Sequence, residues 1–437
     1  MSDILATIDK LAFGGNGICR IDGKVCFVPF SCPGDGVRLA VTSAKRSYQL
    51  ARIVELVTPS PFRCLPPCPV FGTCGGCSWQ HISYAQQLAA KQQILAETMW
   101  RGARVAAEVV TPTSPSPQQY GYRSRVQFKL HGTGNSLKIG FYRTGSHLVE
   151  DIGQVCAVAL PLINAVLSRL RIVLPSCPDI RSIPKISVDC AEQGVIAVVT
   201  YTGRDSAAVT AFFDEHREEL LPLSGLFLQS DRKTPLQKVY GDDALTYSLP
   251  AFESNTKPLL LSYQAGGFAQ VNREQNRAML EIVRRLADFS GTEQVLDLYC
   301  GNGNISLPIA GLISHVTGIE EYAGSIDSAR DNCTKNGIGN ADFICADAAV
   351  GIRRLADAGR KFDTIILDPP RTGAAEAVPE ICRLNPPKIV YISCDPSTLA
   401  RDCGLLSENG YDVKECVPVD MFPQTYHIES VTLLQKK

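Results

Sequence analysis

The sequence has no uninterrupted apolar run near the ~18–20 residues that a membrane-spanning helix needs. It also has no excess of charge. Its 43 Lys and Arg stand against 44 Asp and Glu, a formal net charge of −1. The first lack argues against a helical membrane protein. The second means that an anionic partner must be met by local basic patches, not by overall charge. The opening residues, MSDILATIDK, carry neither a basic n-region nor an apolar h-region, so no secretory signal is expected. Internal repeats and low-complexity tracts are missing too. What remains is an ordinary globular composition, 45% hydrophobic and 20% charged, expected in the cytoplasm. A chain of 437 residues has room for three domains of ~150 residues each. Cysteine, in contrast, is plentiful at 17. In a reducing compartment, clustered cysteines point to metal binding or catalysis before disulfides.

Residues 1–59 read as short strands separated by the turn signals FGGNG, DG and CPGDG, a pattern that predicts a small closed β-barrel. Arg20, Lys24, Lys45, Arg46 and Arg52 dot it and make it a candidate nucleic-acid module or simply a solvated face. A central α+β region is expected over 60–265. It opens with a cysteine-rich run and a helical stretch at 83–105, where Leu88, Gln92, Leu95 and Met99 recur at helical spacing. The Pro/Ser-rich stretch 111–125 must be loop, and 94–124 is a segment that could pack on the following domain. From 266 to 437 the rhythm becomes strand, helix, strand, helix, which predicts a doubly wound parallel sheet.

In such sheets ligands bind beyond the carboxyl ends of the strands, so the strand tips form a list of candidate residues. The first strand runs into LDLYCGNGN, with Asp297 and then Gly301 and Gly303; Ser306 stands where a dinucleotide fingerprint has its third glycine. The next strand ends on Glu320, about twenty residues on, where a carboxylate meets ribose hydroxyls. Asp347 follows, placed for an adenine edge, and then Asp368 in ILDPPR. Together these resemble a class I S-adenosylmethionine-dependent methyltransferase. A nicotinamide-binding domain is the competing reading; the missing glycine and the Asp-Pro-Pro tip weigh against it.

Asp-Pro-Pro alone would suit methylation of an amino group, which needs no thiol. The neighbouring strand, however, ends on Cys394 in YISCDP. An inert buried thiol is the bland explanation. A thiol is required when the target is C5 of a pyrimidine, because attack at C6 makes C5 nucleophilic. A general base must then remove the C5 proton, and Glu429, in MFPQTYHIESVTLL, is the candidate. Taken with SCDP and FPQTYHIES, the pattern resembles the RNA 5-methyluridine methyltransferase family. In that resemblance Cys394 matches the nucleophile and Glu429 the base. Gln270, Tyr299, Asn304, Glu320, Asp347 and Asp368 match cofactor contacts, and Phe268 an aromatic beside the extruded base.

The run FRCLPPCPVFGTCGGCSWQH holds Cys64, Cys68, Cys74 and Cys77. From the residues alone, four-thiolate zinc and an iron–sulfur cluster both fit. The family resemblance implies a [4Fe–4S] cluster on Cys68, Cys74, Cys77 and the distant Cys156, with Cys64 left out. It also implies that the barrel is a TRAM RNA-binding module. The expected activity is S-adenosylmethionine-dependent methylation of C5 of a uridine in large-subunit (23S) ribosomal RNA, by a monomer. The transfer-RNA T-loop uridine is the alternative substrate. A catalytically silent RNA-binding or chaperone protein is the alternative class.

Overall fold

The structure, a computed structural model, describes residues 4–231, 234–252 and 257–437. Near the start of the chain, six strands between Ile4 and Thr58 form one curled sheet. Burial alternates along Gly17–Ile21 and Gly36–Ala44, and the inward residues Ile8, Cys19, Val28, Val37 and Leu39 fill the barrel. Arg20, Lys24, Lys45, Arg46 and Arg52 all face solvent. The barrel is tied to the next segment by buried Asp35. It accepts two 2.7 Å bonds from Arg63 and one from the Ser60 backbone N–H.

The central region is a mixed seven-stranded sheet with the helices Pro161–Val173 and Ser206–Glu215. At its edge lies the hairpin formed by Lys138–Tyr142 and Val149–Asp151. The cysteine-rich loop is laid along this hairpin: Gly75 N–H donates to the Tyr142 carbonyl at 2.9 Å, and Thr144 N–H to the Thr73 carbonyl at 3.0 Å. A Cβ on Gly75 would sit 3.0 Å from that same Tyr142 oxygen, so a larger residue would push loop and hairpin apart by a few tenths of an ångström.

The third sheet also has seven strands. Numbered in chain order from Gln294–Leu298, they run 3-2-1-4-5-7-6. The first five are parallel, and the strand Glu429–Lys436 inserts antiparallel between Lys388–Ser393 and Tyr411–Val419. The parallel strands are apolar along their length because helices cover both faces. This is the doubly wound architecture expected from the sequence.

The packing crosses the boundaries suggested by the sequence rhythm. Helix Tyr84–Ala103 belongs to the core of the third sheet, where Ile94, Leu95 and Met99 meet Leu399, Ala400 and Cys403. Gly102 allows the close crossing, since a Cβ there would fall 2.7 Å from the Ala400 Cβ. The strand pair Ala244–Leu249 and Leu259–Gln264 likewise shares its core with helix Arg273–Ala287. The stretch after the helix is irregular, as expected, yet Val110 and Ser114 bridge to Cys416 and Val419 at the sheet edge. Among the described residues no helix is long and apolar enough to cross a membrane.

One face of helix Tyr84–Ala103 departs from the expected pattern. Leu95 and Met99 are fully buried, but Leu88 and Gln92 are only half-buried. Gln87 and Lys91 are buried in their place. The reason is polar pairing. Lys91 Nζ lies 2.5 Å from Asp420 Oδ1 and 3.1 Å from the Phe422 carbonyl, with both side chains of the ion pair wholly enclosed. Removing one member leaves an unpaired buried charge, which typically costs 3–5 kcal/mol. We therefore expect Lys91→Ala to lower unfolding free energy by about 3–5 kcal/mol in urea titration, with Lys91→Met plus Asp420→Leu recovering most of the loss.

Candidate active site

The carboxyl ends of the parallel strands form a crevice, and the expected residues gather there. After strand Gln294–Leu298 the chain turns through Tyr299, Gly301 and Gly303, all at positive φ (63°, 56° and 90°). Beyond the Gly301 Cα there is open space, which leaves room for a ligand against the backbone. Glu320 accepts from Gly301 N–H at 3.3 Å and from Tyr322 N–H at 2.9 Å, fixing its carboxylate beside the glycine turn. Asp347 caps helix Ala348–Asp357 by accepting from Val350 N–H, and it is exposed. Asn304 is held on helix Arg273–Ala287 by reciprocal bonds with Asn276 at 2.8 and 3.1 Å. Gln270 Nε2 reaches Asp368 Oδ2 at 3.5 Å.

Asp297 lies beneath the glycine turn. It is fully buried, takes a short hydrogen bond from the Ser306 hydroxyl on one oxygen and has no hydrogen-bond partner on the other among the described residues. Burial pushes its pKa up to about 7, against the Ser306 hydrogen bond. Ser306, which replaces the third glycine of a dinucleotide fingerprint, thus has a structural use.

At the next two strand tips the reactive groups meet. Leu367 pairs with Tyr391, so Asp368 and Cys394 emerge on neighbouring parallel strands. The antiparallel register pairs Ser393 with Ser430, which sets Cys394 and Glu429 at adjoining positions across the strand pair. Asp395 and Pro396 start the next helix at once. Asp395 accepts from Ser397 and Thr398 N–H groups, so the thiol sits at a sharp strand-to-helix turn. Cys394 is half-buried and Glu429 fully buried.

Electrostatics couples the three. Burial first, then Glu429 and Asp368, push the Cys394 thiol up to about 12. Burial and Asp368 raise Glu429 well above the ordinary carboxylate range, and burial raises Asp368 to about 7. Arg371 opposes these effects on Cys394 and Glu429. It sits in the turn after Asp-Pro-Pro, and that turn is anchored by buried Asp402, which accepts from Ala374 N–H at 2.7 Å and the Tyr391 hydroxyl at 2.6 Å. Phe268 is 61% exposed, which removes the alternative that it is a core aromatic.

Comparison with known proteins gives the family. A family model described as tRNA (uracil-5-)-methyltransferase matches residues 232–437. The TRAM-domain model of tRNA (uracil(54)-C(5))-methyltransferase matches residues 4–62. A 23S rRNA (uracil(1939)-C(5))-methyltransferase RlmD from Xanthomonas oryzae is 33% identical, covering 98% of this chain and 96% of its own. The RlmD of Nitrosospira multiformis is 34% identical, covering 98% of each. The chain belongs to the RNA uracil-C5 methyltransferase family. The crystal structure of Pyrococcus abyssi tRNA (uracil-54, C5)-methyltransferase, in complex with S-adenosyl-L-homocysteine, shares the fold of this methyltransferase. The TM-score is 0.74 at 24% identity, covering 98% of this chain and 99% of that one.

The structure also shows what the sequence reading left out of this methyltransferase's site. Arg371 was visible in ILDPPR but had no assigned use; only the fold brings its charge toward both Cys394 and Glu429. Asn276 supports Asn304 from a helix whose amphipathic pattern gave no hint of it.

The raised thiol has a direct readout. Thiolate, not thiol, reacts with alkylating agents, and a pKa near 12 leaves little of it at neutral pH. In the RNA-free protein, Cys394 should alkylate with iodoacetamide about tenfold faster for each pH unit between 7 and 9. Peptide mapping by mass spectrometry checks this, and Arg371→Gln should slow the reaction further.

Proposed function

We propose that this methyltransferase, a cytoplasmic monomer, uses S-adenosylmethionine to methylate C5 of a uridine in 23S ribosomal RNA through a covalent bond to Cys394. The observation that carries the reading is the placement of Cys394, Glu429 and Asp368 at three adjoining strand tips. The 23S substrate is supported by relatives of that name that match over nearly the whole chain.

In this reading Glu320, held beside the glycine turn, takes the ribose hydroxyls and exposed Asp347 the adenine edge. Tyr299, Asn304, Gln270 and Asp368 line the way from the glycine turn to the thiol. When bound, S-adenosylmethionine supplies an electrophilic methyl group. This chain's residues do the rest. Phe268 stacks on the extruded base. Cys394 gives its proton to solvent as its sulfur bonds to C6, and the C5–C6 electron pair moves toward O4. After C5 has accepted the methyl group, the Glu429 carboxylate removes the remaining C5 proton, the double bond re-forms and the sulfur leaves. Three groups that resist ionisation together respond to added positive charge: a cation in the crevice favours thiolate and carboxylate alike. The exposed cations of the barrel are suited to RNA phosphates.

The proposal extends to a [4Fe–4S] cluster on Cys68, Cys74, Cys77 and Cys156. The donor set fits: each thiol is part-buried, and Cys68, Cys74 and Cys156 all bear electrostatically on Cys77. Burial and these neighbours push Cys77 up to about 12, and burial pushes Cys74 up to about 11. Thiols packed this way gain from giving up their protons to a metal. Cys64 is exposed and interacts elsewhere, with its sulfur on the Gln80 carbonyl. Among the described residues, no three His, Cys, Asp or Glu side chains converge closely enough to hold one metal ion.

Cys394→Ala should abolish methylation, and Glu429→Gln should trap RNA on the protein as a species stable to denaturing gel electrophoresis. Mapping of 5-methyluridine in cells with and without this gene assigns the substrate. Loss in transfer RNA with 23S RNA unchanged would overturn the ribosomal assignment. Anaerobically purified protein should be brown, with broad visible absorption that Cys156→Ser removes and Cys64→Ser retains. A colourless protein with stoichiometric zinc would overturn the cluster.

A further inference from the structure

Residues 420–428, which lead into Glu429, have no regular secondary structure, yet most of them are buried. Buried irregular backbone needs partners for its polar groups. Here the partners come from parts of the chain far away in sequence. Tyr122 donates its hydroxyl hydrogen to the Pro423 carbonyl at 2.9 Å, and Asn272 Nδ2 donates to the Met421 carbonyl at 3.2 Å.

Gln424 is the centre of this arrangement. It is 2% exposed and has φ 68°, a left-handed conformation that residues other than glycine rarely adopt. Its backbone N–H donates to Gln87 Oε1 at 3.0 Å, and its own Oε1 accepts from Gln87 Nε2 at 3.0 Å. Its carbonyl accepts from both Ser78 N–H and Trp79 N–H at 3.0 Å. Ser78 Oγ then accepts from Tyr426 N–H at 3.1 Å. Ser78 is the residue directly after Cys77. Trp79 continues the tie into the barrel, donating from Nε1 to the Gly15 carbonyl at 3.0 Å. A strained residue held by this many partners marks a place where the fold imposes a geometry.

We propose that Gln424 is a positioning residue: through Gln87 and the Ser78–Trp79 backbone it clamps residues 420–428 and so sets Glu429 against C5 of the target uridine. The cysteine loop acts on proton abstraction through these hydrogen bonds, by holding a shape, with no electron transferred. This inference rests on Glu429 being the base.

The test uses the full chain with Gln87→Leu and, as a milder variant that removes one hydroxyl, Ser78→Ala. Both keep every cysteine and every crevice residue. In hydrogen–deuterium exchange, amides of 421–428 should exchange at least tenfold faster in both, with strand 388–393 unchanged. Cys77→Ser should produce the same local effect. In steady-state assays KM for RNA should stay within twofold while kcat falls tenfold or more, and the covalent RNA adduct should build up as it does in Glu429→Gln. Unchanged exchange in 421–428, or a fall in kcat without adduct, would overturn the inference. If Glu429→Gln itself forms no adduct, the base assignment is what fails, and the exchange measurement still decides whether Gln424 clamps the loop.

Discussion

A lysine and an aspartate removed from water together hold this protein in one piece. Lys91 comes from the segment that follows the cysteine loop, and Asp420 begins the loop that leads to Glu429. Neither charge is tolerable alone in that interior, so each commits the other's segment to one position. The neighbouring contacts share this commitment: Gln87 with Gln424, Trp79 with Gly15, and Gly102 against Ala400. Barrel, cysteine loop and catalytic sheet therefore meet along one helix.

The crevice uses burial differently. Asp297, Asp368, Glu429 and Cys394 are all driven toward their neutral forms, by the same cause. In the free protein this keeps Cys394 as the thiol, the less reactive form. Arg371 keeps the suppression from becoming complete. The Cys394 thiol is thus held neutral by its surroundings until the charge around it changes.

Much of this was legible in the sequence because it depends on local patterns. Apolar runs that end in polar residues gave the parallel sheet, and the residues at those ends gave Glu320, Asp368 and Cys394. What stayed hidden depends on long-range pairing. The expected stripe through Leu88 and Gln92 was off because Gln87 and Lys91 look like surface residues until Gln424 and Asp420 are brought to them. The same holds for strands 244–264, which lie before the change of rhythm yet pack within the catalytic core. The left-handed turn at Gln424 had no signal at all, because that conformation is usually announced by glycine or asparagine.

Lys91 and Asp420 are separated by 329 positions in the chain. At the pace of ribosomal synthesis, adding that length takes on the order of half a minute. Throughout that interval Lys91 lacks the carboxylate that neutralises it in the fold, so its ammonium group has reason to stay hydrated. The cysteine loop just before it can meet the hairpin Lys138–Tyr142 and Val149–Asp151 early, but lacks Gln424 to lie against over the same period. The turn around Gln424 and the catalytic crevice are consequently finished together, late in the life of the nascent chain, and not one after the other in the order in which they are encoded.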